Sequence, residues 1–283
     1  MFSPEELKRI LQESDVIKNV SIIKEAKLFE NVYQTVLQGE LVINERESFV
    51  VYIAVPEKWY RDLVDIYVAD YNELVYMPHI DNKGKLCLFE TEGILIDQNL
   101  PGIMMQSLLR AQTILKQGFS GENKNDFINE FELYWAQLKD CRIAHLAVET
   151  DRKNRIVKGG IKKSSKRKKE KQIEYIKRCK KAPIYIGENV ESLKRWNLEK
   201  TPVMNIAYFV IYSEKYIFPP DIRKKLSIDY LNALLHFVPE GELASIMPRS
   251  RQDRIIVFEI HQPSGQTHFV GMYIKAVSYT HLT

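Results

Sequence analysis

Met77-Pro78-His79-Ile80-Asp81-Asn82-Lys83-Gly84-Lys85-Leu86-Cys87-Leu88 stands between two kinds of sequence. Before it, residues 20–70 alternate apolar and polar positions and are rich in β-branched and aromatic side chains. This pattern predicts strands over 21–29, 33–43, 48–55 and 65–68 joined by short polar turns. Upstream of these, Ser3-Pro4-Glu5-Glu6 reads as a helix start, with a serine cap, proline in the first turn and glutamate three after the cap. Beyond the quoted stretch the period changes. Residues 101–117 place Met104, Leu108, Ala111 and Leu115 on one helical face, with Gly118 as the expected stop. Residues 125–139 do the same with Phe127, Phe131, Tyr134, Trp135 and Leu138. A helix, an antiparallel meander, an irregular stretch and further helices make an α+β domain.

Within the irregular stretch, Cys87 follows the turn-forming run Asp81-Asn82-Lys83-Gly84-Lys85. Two lysines and a glycine turn favour a thiolate, the nucleophilic form of cysteine. A cysteine between leucines is also a common buried, inert core residue. Its residue type and neighbours leave both readings open.

The register of the whole stretch resembles the active-site segment of ubiquitin-conjugating enzymes, which reads His-Pro-Asn-Ile, a polar turn, Gly, one residue, Ile or Leu, Cys, Leu. Pro78, Ile80, Gly84, Leu86, Cys87 and Leu88 fall in place without a gap, and the element order over residues 1–138 is similar to that family. The resemblance implies that Cys87 accepts the C-terminus of a ubiquitin-like or other protein as a thioester from an adenylating activating enzyme, then passes it to an acceptor amine. Where the family has asparagine this chain has His79, and where it has histidine this chain has Met77. An imidazole can donate to an oxyanion or act as a base, so His79 is the second candidate catalytic residue, against a structural role in the loop. The departure points to the bacterial branch, whose members are often fused to, or encoded beside, a ThiF-type adenylating domain, many in anti-phage defence. By the same resemblance ATP is used by the activating partner and no cofactor by this chain, which lacks a G-x-G-x-x-G loop.

The 283 residues, 45% hydrophobic and 28% charged, exclude collagen-like, wholly disordered and disulfide-scaffold classes. Three widely spaced cysteines without a C-x-x-C pair argue against a cysteine-built zinc site and for reduced thiols in a cytoplasm; Cys141 and Cys179 read as structural. The acidic N-terminus and the short apolar runs predict no signal peptide and no membrane span. Of the +4 net charge, residues 152–181 carry +13 and the other 253 residues −9. This organisation predicts a conjugating-like domain over 1–145, a basic linker over 146–181 and a second α+β region over 182–276. That region is expected to hold strands at 203–212, 254–261 and 267–274 and a helix at 226–237. Residues 277–283 read as the translation of a sequencing adapter, a non-native tail on a chain expected to continue past Ala276.

Two other function classes fit parts of the chain. One is a non-catalytic module that binds a ubiquitin-like or effector protein on the same fold. The other is a nucleic-acid-associated protein using residues 162–171, although Tyr175 is the one aromatic nearby, too few for base stacking. A metal site is not expected: His261 and His268 flank the predicted turn at 263–266, but no carboxylate stands at ligand spacing. Glu90 and Glu92 could steer an incoming lysine, and Arg251, Asp253 and Arg254 read as surface charge.

Overall fold

Ser3 starts the first helix as its sequence dictates. Its N–H donates to Glu6 Oε2 at 2.7 Å and Glu6 N–H donates to Ser3 Oγ at 3.3 Å, closing a capping box ahead of α1 (Pro4–Gln12). The structure, a computed structural model, describes residues 2–24, 27–28, 31–89, 98–139, 141–151, 153–162, 167–168, 170–174, 181–198, 202–247 and 254–274. It divides into two units, Met1–Phe127 and Ile128–Thr283.

In the first unit β1 (Ile17–Ile22), β4 (Thr35–Val42), β5 (Ser48–Val55) and β6 (Asp65–Val68) form an antiparallel sheet in the order β1-β4-β5-β6. A small ribbon, β2 (Lys27–Leu28) with β3 (Asn31–Val32), links β1 to β4. The first strand therefore lies earlier than the predicted 21–29. The cause is a bulge: Asn19 has φ +53° and the pairing shifts between Lys18 and Ser21, which breaks the alternation. α1 lays Leu7 and Leu11 on this sheet, and α2 (Leu100–Ser120) lays Leu100, Met104, Leu108, Ala111 and Leu115 on it, all 0% exposed. α2 does not stop at Gly118. That glycine is buried against Met77, and the helix runs to Gly121, whose φ of +76° makes the left-handed cap.

The second unit is a six-stranded mixed sheet, ordered β12 (Thr267–Ile274), β11 (Arg254–His261), β10 (Met204–Tyr212), β8 (Arg155–Ile161), β9 (Ile184–Gly187), β7 (Ala144–Ala147). β10 pairs β11 and β7 pairs β9 in parallel, while the other pairs are antiparallel. β10 is buried from Ile206 to Ile211, as a central strand covered on both faces must be. Its helices include α4 (Phe131–Gln137), α6 (Ile228–Leu235) and α7 (Glu240–Ile246). The single helix expected over 125–139 is broken into α3 (Asp126–Asn129) and α4. Between β9 and β10 lies a one-turn helix, α5 (Val190–Leu193).

The linker expected over 146–181 is corrected in its first half, because β8 is an inner strand between β9 and β10. Its charges and glycines conceal this. Arg155 is paired to Glu188 and Asp151, and Gly159 makes room for Ile206 across the ladder. Part of the basic run (163–166, 169) and Tyr175, Cys179, Glu90, Glu92, Arg251, Asp253 and the 277–283 tail lie outside the described residues.

Candidate active site

The segment around Cys87 is built as a hairpin pinned to the core. Asp81 begins the turn: its Oδ1 accepts the N–H groups of Lys83 and Lys85 at 2.8 and 2.9 Å, and its carbonyl accepts Gly84 N–H at 3.1 Å. Gly84 sits at φ +81°, and its carbonyl accepts Val68 N–H at 2.8 Å, which stitches the turn to the end of β6. A Cβ at this position would lie 2.7 Å from the Val68 carbonyl oxygen, so glycine is needed for both reasons.

Past the turn, Leu86 N–H donates to Ile66 O at 2.8 Å and the backbone runs extended. Side chains then alternate: Leu86 is buried, Cys87 exposed, Leu88 buried. The alternation turns the thiol outward from a backbone that cannot shift without opening the core. Arg110 Nε donates to Leu88 O at 3.2 Å, closing the far end.

Lys85, two positions before the thiol, is held by a carboxylate. Its Nζ lies 2.7 Å from Asp65 Oδ1. Burial opposes its charge, but the Asp65 carboxylate outweighs burial and raises the ammonium above its ordinary value. Asp65 also accepts from Tyr33 Oη at 2.9 Å, which ties this contact into the sheet.

His79 faces Cys87 across the hairpin through the backbone, where Cys87 N–H donates to His79 O at 2.9 Å. The histidine adopts φ +65°, a left-handed conformation that costs a side-chain-bearing residue about 1 kcal/mol. Its ring is 15% exposed, and Nε2 lies 2.9 Å from Asp126 Oδ2. A carboxylate only accepts, so Nε2 carries the hydrogen. Asp126 had no motif to announce it: it stands 39 positions after Cys87, and only the fold brings it to His79. An exposed thiol, an imidazole and a carboxylate thus hang on one framework, a set suited to acyl transfer.

The remaining candidates among the described residues belong to the second unit. Burial pushes the Cys141 thiol up, away from the thiolate. His261 and His268 are not cross-strand partners: His261 pairs with Thr267 and His268 with Ile260. His261 Nε2 meets Glu259 Oε1 at 2.8 Å and His268 Nδ1 meets Glu132 Oε1 at 2.9 Å. Among the described residues no group of three or more His, Cys, Asp or Glu could hold a metal ion, and no helix is long and apolar enough to cross a membrane.

No curated protein and no solved structure gives a significant match to the chain. The family model of prokaryotic E2 family B matches residues 19–143. This span runs from within β1 through the rest of the meander, His79, Cys87, α2 and Asp126, and the match supports a bacterial E2-like family for this part of the chain.

Proposed function

We propose that the first unit is a ubiquitin-conjugating-like acyl carrier with Cys87 as its nucleophile. The Cys87 thiolate attacks the carbonyl carbon at the C-terminus of a ubiquitin-like protein, held as a thioester on an activating enzyme. A new C–S bond forms to Cys87, the old one breaks, and the activator's sulfur leaves as thiolate. An amine then adds to the same carbonyl carbon, a C–N bond forms, and the electron pair of the broken C–S bond returns to Cys87. His79 assists the second step by taking the amine's proton. ATP is used by the activating partner, an adenylating protein of the ThiF type, and the exposed thiol works in a reducing compartment such as the cytoplasm.

The observation that carries this reading is the exposure of Cys87 between two buried leucines, inside the span matched by the prokaryotic E2 family model. A cysteine kept for packing would point the other way. The test mixes purified protein with ATP, the adenylating enzyme encoded nearby and its candidate ubiquitin-like substrate, on gels with and without reductant. A reductant-sensitive adduct that is missing in Cys87→Ala supports the reading. A partner that is adenylated without any adduct forming removes it in favour of a binding module.

A further inference from the structure

We infer that Asp126 is a positioning residue for His79 in the transfer step, an inference that rests on the acyl-carrier reading above. The Nε2–H to carboxylate hydrogen bond between them is unlike an incidental surface contact. A surface pair contributes about 0–1 kcal/mol and ties together side chains on unstrained backbone. Here the imidazole is largely covered and its residue is held in the left-handed region, at a cost the surrounding contacts must offset. His79 is gripped at both ends, its peptide oxygen by Cys87 N–H and its ring by Asp126.

Asp126 is fixed in turn. Its N–H donates to Asn123 O at 2.9 Å, and the buried Asn123 side chain donates to Ile114 O in α2 at 3.4 Å. Beside this hydrogen bond, Tyr76 stacks on Phe127 with centroids 4.7 Å apart, and Met77 lies buried against Gly118 in the last turn of α2. Three contacts, at Tyr76, Met77 and His79, therefore clamp residues 76–79 to the end of α2 and the start of α3. The clamp sets where the imidazole sits.

Asp126 touches no reacting atom. When the amine adds to the Cys87 thioester and the C–S bond breaks, the amine's proton passes to the imidazole and then to water. The Asp126 carboxylate accepts from Nε2–H throughout, so it keeps the ring oriented and stabilises the imidazolium formed in passing.

The test is single-turnover discharge of purified, Cys87-charged protein onto free lysine at varied concentration. Asp126→Asn is expected to lower the maximal rate about tenfold while leaving the half-saturating lysine concentration unchanged. His79→Ala is expected to lower it about a hundredfold. The double variant is expected to be no slower than His79→Ala alone, because Asp126 acts through His79. Discharge of Asp126→Asn at the unsubstituted rate, or two losses that multiply in the double variant, overturns the inference. If circular dichroism shows Asp126→Asn unfolded, Asp126→Glu is read instead: a rate within severalfold of the unsubstituted protein supports the inference, and a loss beyond tenfold overturns it. Failure of the unsubstituted protein to charge at Cys87 is a distinct result, which removes the acyl-carrier reading and this inference with it.

Discussion

Gly84→Ala should cost the first unit far more than Gly121→Ala, although both glycines have left-handed φ. At Gly121 (φ +76°) a new Cβ meets nothing within 4 Å, so the cost is conformational, about 1 kcal/mol. At Gly84 (φ +81°) the same conformational cost is joined by a Cβ 2.7 Å from the Val68 carbonyl oxygen and 2.8 Å from Tyr71 Cδ1. Val68 is backbone at the end of β6, and it already donates to the Gly84 carbonyl at 2.8 Å, so it cannot retreat without opening the turn. Overpacking of this kind costs about 1–3 kcal/mol, which brings Gly84→Ala to about 3 kcal/mol in total. The difference between the variants, about 2 kcal/mol, is roughly a thirtyfold change in the folded-to-unfolded ratio. Because the chain has two units, one melting curve does not isolate this effect. Urea-dependent hydrogen exchange of peptides from residues 48–68 reads the first unit alone. Equal losses in the two variants would refute the steric part of the argument.

Two predictions concern the second unit. Arg155 holds the Glu188 carboxyl below its usual range. At Glu132 burial opposes the charge, and His268 together with the backbone N–H groups of Glu132 and Phe269 outweighs it, so that carboxyl is lowered too. Both carboxyls bind protons less tightly folded than unfolded, so their stabilisation is present above pH 4.5 or so and is lost as pH falls through the folded values. Acid should therefore weaken this unit below that pH, and Arg155→Gln should make the decline shallower; an unchanged slope by exchange of peptides from 155–161 counts against the assignment. Glu259 is fully buried and accepts from Tyr208 Oη and His261 Nε2. Glu259→Ala leaves both without that partner and should cost about 3–5 kcal/mol in urea unfolding, against under 1 kcal/mol if the cluster is incidental.

The parts of the fold legible in the sequence were those where local chemistry and global structure agree. The Ser3 cap, the strands Ser48–Val55 and Asp65–Val68, and the hairpin of β11 and β12 follow from alternation and turn residues. β8 is hidden because Arg155 is held not only by nearby Asp151 but by Glu188, 33 positions on, and Gly159 answers to Ile206, distant partners that the local sequence does not reveal. Gly118 misled for a related reason: as a glycine it signals a helix end, while in the fold it admits Met77. The site divides in the same way. Cys87, His79 and Gly84 lie within one nine-residue stretch and are readable from their spacing. Asp126 reaches His79 only because α2 returns the chain to the hairpin. No periodicity encodes that return.

The central claim is that the Cys87 sulfur carries an acyl group, and peptide mapping by mass spectrometry tests it most directly. The protein is incubated with ATP, an adenylating enzyme and its ubiquitin-like substrate, digested, and the adduct located. The prediction is an adduct on the Cys87 peptide that dithiothreitol removes, replaced in Cys87→Ser by one at the same position that resists dithiothreitol and yields to alkali. Cys87 is exposed, so Cys87→Ser should not disturb the fold by more than about 0.5 kcal/mol. An adduct mapped to Cys141 or to a lysine, with the Cys87 peptide unmodified, would contradict the account.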